Sequence, residues 1–71
     1  MNGNEEGIQA RRRLMAGDDR EKSAAAAFEL GIYYTGQPGG VEEAELCFRH
    51  AIATKHPAIS PAALLNLAGL L

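Results

Sequence analysis

The chain has one cysteine, Cys47, no tryptophan, and only four large aromatic side chains, Phe28, Tyr33, Tyr34 and Phe48. A single cysteine excludes a disulfide within the chain and fits a reducing compartment. β-Branched residues are sparse and nowhere alternate with polar ones, which argues against strands. No apolar run approaches the ~20 residues of a membrane-spanning helix, so no membrane is expected as a partner. Neither sign of charge dominates: seven Lys and Arg stand against nine Asp and Glu, a net charge of −2. That balance argues against nucleic acid and anionic surfaces as partners. The opening Met-Asn-Gly-Asn-Glu-Glu is acidic and polar, unlike a signal peptide, so a cytoplasmic location is expected.

What the chain does have is alanine, leucine and glycine in helical spacing. With 71 residues it is one small domain or part of one. A chain of that size buries only about 60% of its unfolded surface. Periodicity predicts four helices. The first covers about 5–16, with a poor stripe of Ile8, Leu14 and Met15, and Gly17-Asp18-Asp19 ends it. The second covers about 19–34, with Asp18 or Asp19 as its N-cap. Ala27, Leu30, Gly31 and Tyr34 share one of its faces, and Ala25, Phe28, Ile32 and Thr35 a neighbouring one. A helix apolar on two faces packs on two sides. Thr35-Gly-Gln-Pro-Gly-Gly40 breaks it.

The third helix covers about 41–55, with a stripe of Val41, Ala44, Cys47, Phe48, Ala51 and Ile52. Glu42, Glu43 and Glu45 near its start and Lys55 in its last turn suit the helix dipole. Glu42, Glu45, Arg49 and His50 lie off the stripe. In the connector that follows, Ser60 is the expected N-cap and Pro61 the first residue of the fourth helix. Leu64, Leu67 and Leu71 share a face there, Leu70 lies beside them, and Leu65 points elsewhere. The expected fold class is all-α, built of antiparallel helix hairpins.

The residue types that carry chemistry are too few or wrongly spaced for a site. Arg11-Arg12-Arg13 spreads over about 200° of helix and reads as a solvated face. Cys47 and His50, with His56 beyond, supply half of a metal site at most. The three glutamates are explained by the helix dipole. Gly36-Gln-Pro-Gly-Gly40 precedes a helix but lacks the Lys-Ser/Thr of a phosphate loop. No catalytic, cofactor or metal site is expected, and no enzyme.

The small/large pattern Ala27-x-x-Leu30-Gly31-x-x-Tyr34, Ala44-x-x-x-Phe48, Ala51, Pro57 resembles the tetratricopeptide repeat family. Asn66-Leu67-Ala68-x-x-Leu71 then repeats Glu29-Leu30-Gly31-x-x-Tyr34. Leu30 and Leu67 are 37 residues apart, against a family repeat of ~34. The resemblance covers 24–71, about one and a half units, and Ala27 stands where the family often has tryptophan. It implies a solenoid segment of about four helices: 1–17 as a degenerate preceding half-repeat, 18–57 as a helix pair, and 58–71 as the first helix of an incomplete unit.

The same resemblance implies a non-catalytic protein–protein interaction module. Its groove would be lined by Ala25, Phe28, Ile32, Thr35 and Leu65 and take an apolar helix or peptide. Some family members clamp a C-terminal carboxylate with Lys, Arg and Asn in that groove. Here Asn66 matches, but no Lys or Arg lies on this face after Lys22, so no such clamp is expected. Leu64, Leu67, Leu70 and Leu71 would form a face for further repeats or for self-association. The alternatives are a small homo-oligomer assembling through its last helix, or a repeat fragment of a larger bacterial signalling or regulatory protein.

Overall fold

The computed structural model describes residues 3–71, with side chains from residue 5 onward. Met1 and Asn2, part of the expected first segment, lie outside the described residues. Four helices follow in order: α1 (Gly3–Ala16), α2 (Arg20–Thr35), α3 (Val41–Ala53) and α4 (Ile59–Leu70). No strand occurs among the described residues, and the fold is all-α. Among the described residues no helix is long and apolar enough to cross a membrane.

α2 is the centre of the molecule. It packs against α1, α3 and α4, and α3 packs against α4 in turn. The core joins Ala27, Ala44, Phe48, Ala51, Ala63 and Leu67, all buried. Small residues on three helices let the backbones approach, and two large side chains, Phe48 and Leu67, fill what remains. Gly31 is the closest approach. A Cβ placed there would lie 2.7 Å from Phe48 Cδ1, so the ring rests directly on the α2 backbone. This is the physical reason for Gly in the middle of an otherwise alanine-rich helix, where it costs about 1 kcal/mol relative to Ala.

The helix ends follow from local chemistry. Asp19 caps α2: its Oδ1 accepts from the Lys22 amide at 2.9 Å. The α2–α3 turn closes through Gln37 N–H to Tyr34 O and Gly40 N–H to Gln37 O, both 3.0 Å. A Cβ at Gly40 would collide with the Tyr34 carbonyl, so the turn requires glycine there.

Two terminal features differ from expectation. α3 ends at Ala53, and Lys55 lies beyond it in the left-handed region at φ 59°. It therefore turns the chain and does not extend the helix. Likewise α4 begins at Ile59, one residue before the expected Ser60 cap. His56 satisfies that end: its Nδ1 accepts from the amides of Ala58 and Ile59, each at 3.2 Å. Ser60 Oγ instead donates back to the last carbonyls of α3, Ala51 O and Ile52 O, at 3.1 Å. The left-handed turn at Lys55 brings the imidazole under the new helix.

Lys55→Gly is expected to raise stability. The left-handed conformation costs a non-glycine residue about 1–2 kcal/mol, offset partly by the larger unfolded-state entropy of glycine. A net gain of up to about 1 kcal/mol raises the melting temperature by roughly 4–8 °C. A lowered melting temperature in a thermal scan would show that the lysine side chain contributes more than its backbone costs.

Candidate interaction surface

α4 sets the character of the surface. No Asp, Glu, Lys or Arg follows Lys55 in the sequence. A helix without charge on any side is normally enclosed, yet here Leu64 is 57% exposed, Leu65 75% and Leu71 78%. Ile32 of α2 adds another apolar side chain, 51% exposed.

Leu65, Asn66, Gly69 and Leu70 of α4 meet Ile32 and Thr35 of α2 around an open hollow of about 350 Å³, floored by Phe48. Thr35 Oγ1 donates to Gly31 O at 2.7 Å, which leaves its methyl-bearing side to line the rim. Three of the five expected groove residues, Ile32, Thr35 and Leu65, thus converge. Ala25 and Phe28 do not border the hollow. Both are half-buried, and the Phe28 ring packs against Phe48 with centroids 6.0 Å apart and planes inclined by 59°. Phe28 serves the core because its face of α2 is already covered.

The other expected face divides as well. Leu64 and Leu71 are open, but Leu67 is only 5% exposed and belongs to the core with Ala27, Ala44 and Phe48. Leu70 is half-buried and packs on the same cluster. Leu67 is therefore not part of an external face. One turn of helix places Ala63 and Leu67 inward together, and that leaves Leu64 and Leu71 to one outer side and Leu65 to the other.

α1 adds a second hollow, of about 400 Å³, lined by Gly7, Ile8, Arg11, Glu29, Leu30, Ile32 and Tyr33. Ile32 stands on the ridge between the two hollows. The arginine run is largely exposed, as expected of a solvated face, and two of its three members also reach the neighbouring helices. Arg11 Nη2 pairs with Glu29 at 3.2 Å. Arg12 Nη2 donates to the Tyr34 hydroxyl at 2.5 Å and lies 3.6 Å from Glu43. The Arg12 guanidinium also sits 5.7 Å from the Tyr34 ring centroid. The Tyr34 hydrogen bond, ahead of the Glu43 charge, holds the Arg12 pKa above its ordinary value.

A polar node lies where α1, α2 and α3 meet, and the sequence reading missed it. Ser23, buried, donates from Oγ to Met15 O at 2.7 Å, and its oxygen is 2.9 Å from His50 Nε2. His50 Nε2 is also 3.1 Å from Met15 O. With the one hydroxyl proton given to Met15 O, the imidazole N–H is the donor to both oxygens. The trio is a clasp on one C-terminal carbonyl of α1, that of Met15. His50 was expected off the packed stripe, but the node draws it half under α1. The available signal was Ser23 itself, four residues before Ala27 and so on its buried face.

Cys47 is buried in α3, where loss of water pushes its thiol pKa up, away from the reactive thiolate. Among the described residues, no three of His, Cys, Asp and Glu are grouped to hold a metal ion. Compared with known proteins, the chain matches no family model, no curated protein and no solved structure, so its geometry alone speaks to its role.

Proposed function

We propose that the chain is a non-catalytic protein–protein interaction module of tetratricopeptide-like design. α2 and α3 form one helix pair, α4 opens the next, and the hollow between α2 and α4 receives the apolar side chains of a partner helix or peptide. The observation that carries this reading is the convergence of Ile32, Thr35 and Leu65 on one open apolar hollow flanked by an uncharged helix. Its volume of about 350 Å³ falls within the usual range of ligand pockets, about 300–1,000 Å³. The lining favours leucine- or phenylalanine-bearing helices read at i, i+3 or i+4, and i+7.

A displayed library of amphipathic helical peptides, selected on the folded chain, tests the reading. Enriched peptides are expected to carry that apolar spacing and to lose tenfold or more in affinity to Leu65→Glu or Ile32→Glu. Enrichment no better than for a polar library, or binding indifferent to both substitutions, overturns it. Leu65 and Ile32 are largely exposed, so neither change disturbs the core.

A further inference from the structure

The exposed positions of α4, together with Leu71, which caps its C-terminus, fall on two sides. Leu65, Asn66 and Gly69 border the hollow with α2. Pro61, Leu64, Ala68 and Leu71 are exposed as well, and none of them borders it. These four recur at intervals of three, four and three residues, the spacing of a seam between paired helices. We infer that this outer seam pairs antiparallel with the same seam of a second copy of the chain, about a two-fold axis near position 66. The interface is separate from the peptide-binding hollow and does not depend on it.

Shape and charge together select a second copy, and extent sets the strength of the pairing. With the helices antiparallel about that axis, Leu64 faces the partner's Ala68, and Leu71 faces the partner's Pro61. Each larger side chain meets a smaller one, and each contact occurs twice, as an isologous interface requires. A parallel pair would set leucine against leucine and alanine against alanine, which leaves bulk beside gap.

The charge argument concerns the helix ends. α1, α2 and α3 each carry an acidic residue in the first turn, among them Glu5, Glu21 and Glu42. α4 has no acidic residue in its first turn and no basic one in its last. Its dipole thus lacks side-chain compensation, and an antiparallel mate places the negative end of one helix beside the positive end of the other. No charged side chain of α4 has to be stripped of water to make the contact. As to extent, 12 residues make a helix about 18 Å long. Such a contact belongs to the small class below roughly 1,200 Å², so the dimer is weak and dissociates on dilution.

Sedimentation equilibrium of the full chain, from low micromolar to near-millimolar protein, reads this directly. The apparent mass is expected to rise from the 7.6 kDa of the single chain towards twice that. Leu64→Lys alone and Ala68→Glu alone are expected to remain monomeric at every concentration. An equal mixture of the two is expected to recover the dimer, because the new opposite charges face each other across the seam. Both positions are exposed, and circular dichroism of each variant checks that the helices persist. A monomer throughout, a dimer insensitive to Leu64→Lys, or a mixture that stays monomeric overturns the proposal. So does a dimer lost to Leu65→Glu, since that residue lines the hollow. Failure of the peptide selection with the dimer intact removes the hollow's role and leaves this interface standing.

Discussion

Leu67→Glu is expected to abolish the cooperative thermal transition of the chain, while Leu64→Glu, almost one turn earlier on the same helix, leaves it nearly unchanged. Leu67 is buried with Ala27, Phe48 and Ala63. Removing a buried leucine costs about 2–5 kcal/mol, and a carboxylate left in the cavity adds a desolvation penalty or must take up a proton. The whole stability of a 71-residue chain is only about 4–10 kcal/mol. The two losses together consume most of it. Leu64 is more than half exposed, and a surface substitution of that kind stays within about 0.5 kcal/mol. Far-ultraviolet circular dichroism with heating distinguishes the two at dilute concentration, where association does not contribute. Equal melting of both variants would mean that α4 is seated in some other rotation about its axis.

That contrast shows where the sequence is silent. Periodicity locates an apolar helix, but its phase requires a polar side to point away from the core. α3 has one: Glu42, Glu43 and Arg49 face solvent, and of the expected stripe Ala44, Cys47, Phe48 and Ala51 are buried and Ile52 partly so, while Val41 in the first turn is half exposed. α4 has none, so Leu64, Leu67 and Leu71 looked equivalent, and only packing against Ala27 and Phe48 separates them. The groove was legible in part for a related reason. Ile32, Thr35 and Leu65 lie at the junction of two helices and converge, whereas Phe28 has enough area to be drawn into the core beside Phe48.

Other features depend on contacts between residues distant in the chain, which local pattern does not encode. α1 has a weak apolar stripe, of which Met15 packs on the core, and it also meets its neighbours through Arg11 to Glu29, Arg12 to Tyr34 and Glu43, and the Met15 carbonyl at the Ser23–His50 clasp. The start of α4 turned on a choice between two capping groups. Intrinsic preference ranks serine first, but the left-handed turn at Lys55 delivers the His56 imidazole to the free amides and releases Ser60 to close the end of α3. The small/large code that resembles a repeat does not by itself give the Gly31–Phe48 contact: small residues of α3 were equally eligible to face the glycine, and only the packing of the two helices sets the ring on the α2 backbone.

Phe48→Ala is expected to cost about 3–5 kcal/mol, the usual loss for an aromatic side chain removed from a closed core. Phe48 is one of the two largest fully buried side chains, and its ring lies on Gly31 and against Phe28. Gly31→Ala places a methyl within 2.7 Å of Phe48 Cδ1. Overpacking of that kind costs about 1–3 kcal/mol, offset by the roughly 1 kcal/mol that alanine gains over glycine in a helix. The double variant is the informative one. With the ring gone, the new methyl enters the space it occupied, its clash vanishes and its helix preference remains. The combined loss should therefore fall short of the sum of the single losses by about 1–3 kcal/mol, the overpacking cost itself and within the range seen for residues in contact. Urea unfolding of the four chains, analysed as a two-state cycle, measures that difference. Simple additivity would mean that the glycine is tolerated for some reason other than the ring above it, and the close approach of α2 and α3 would lose its explanation.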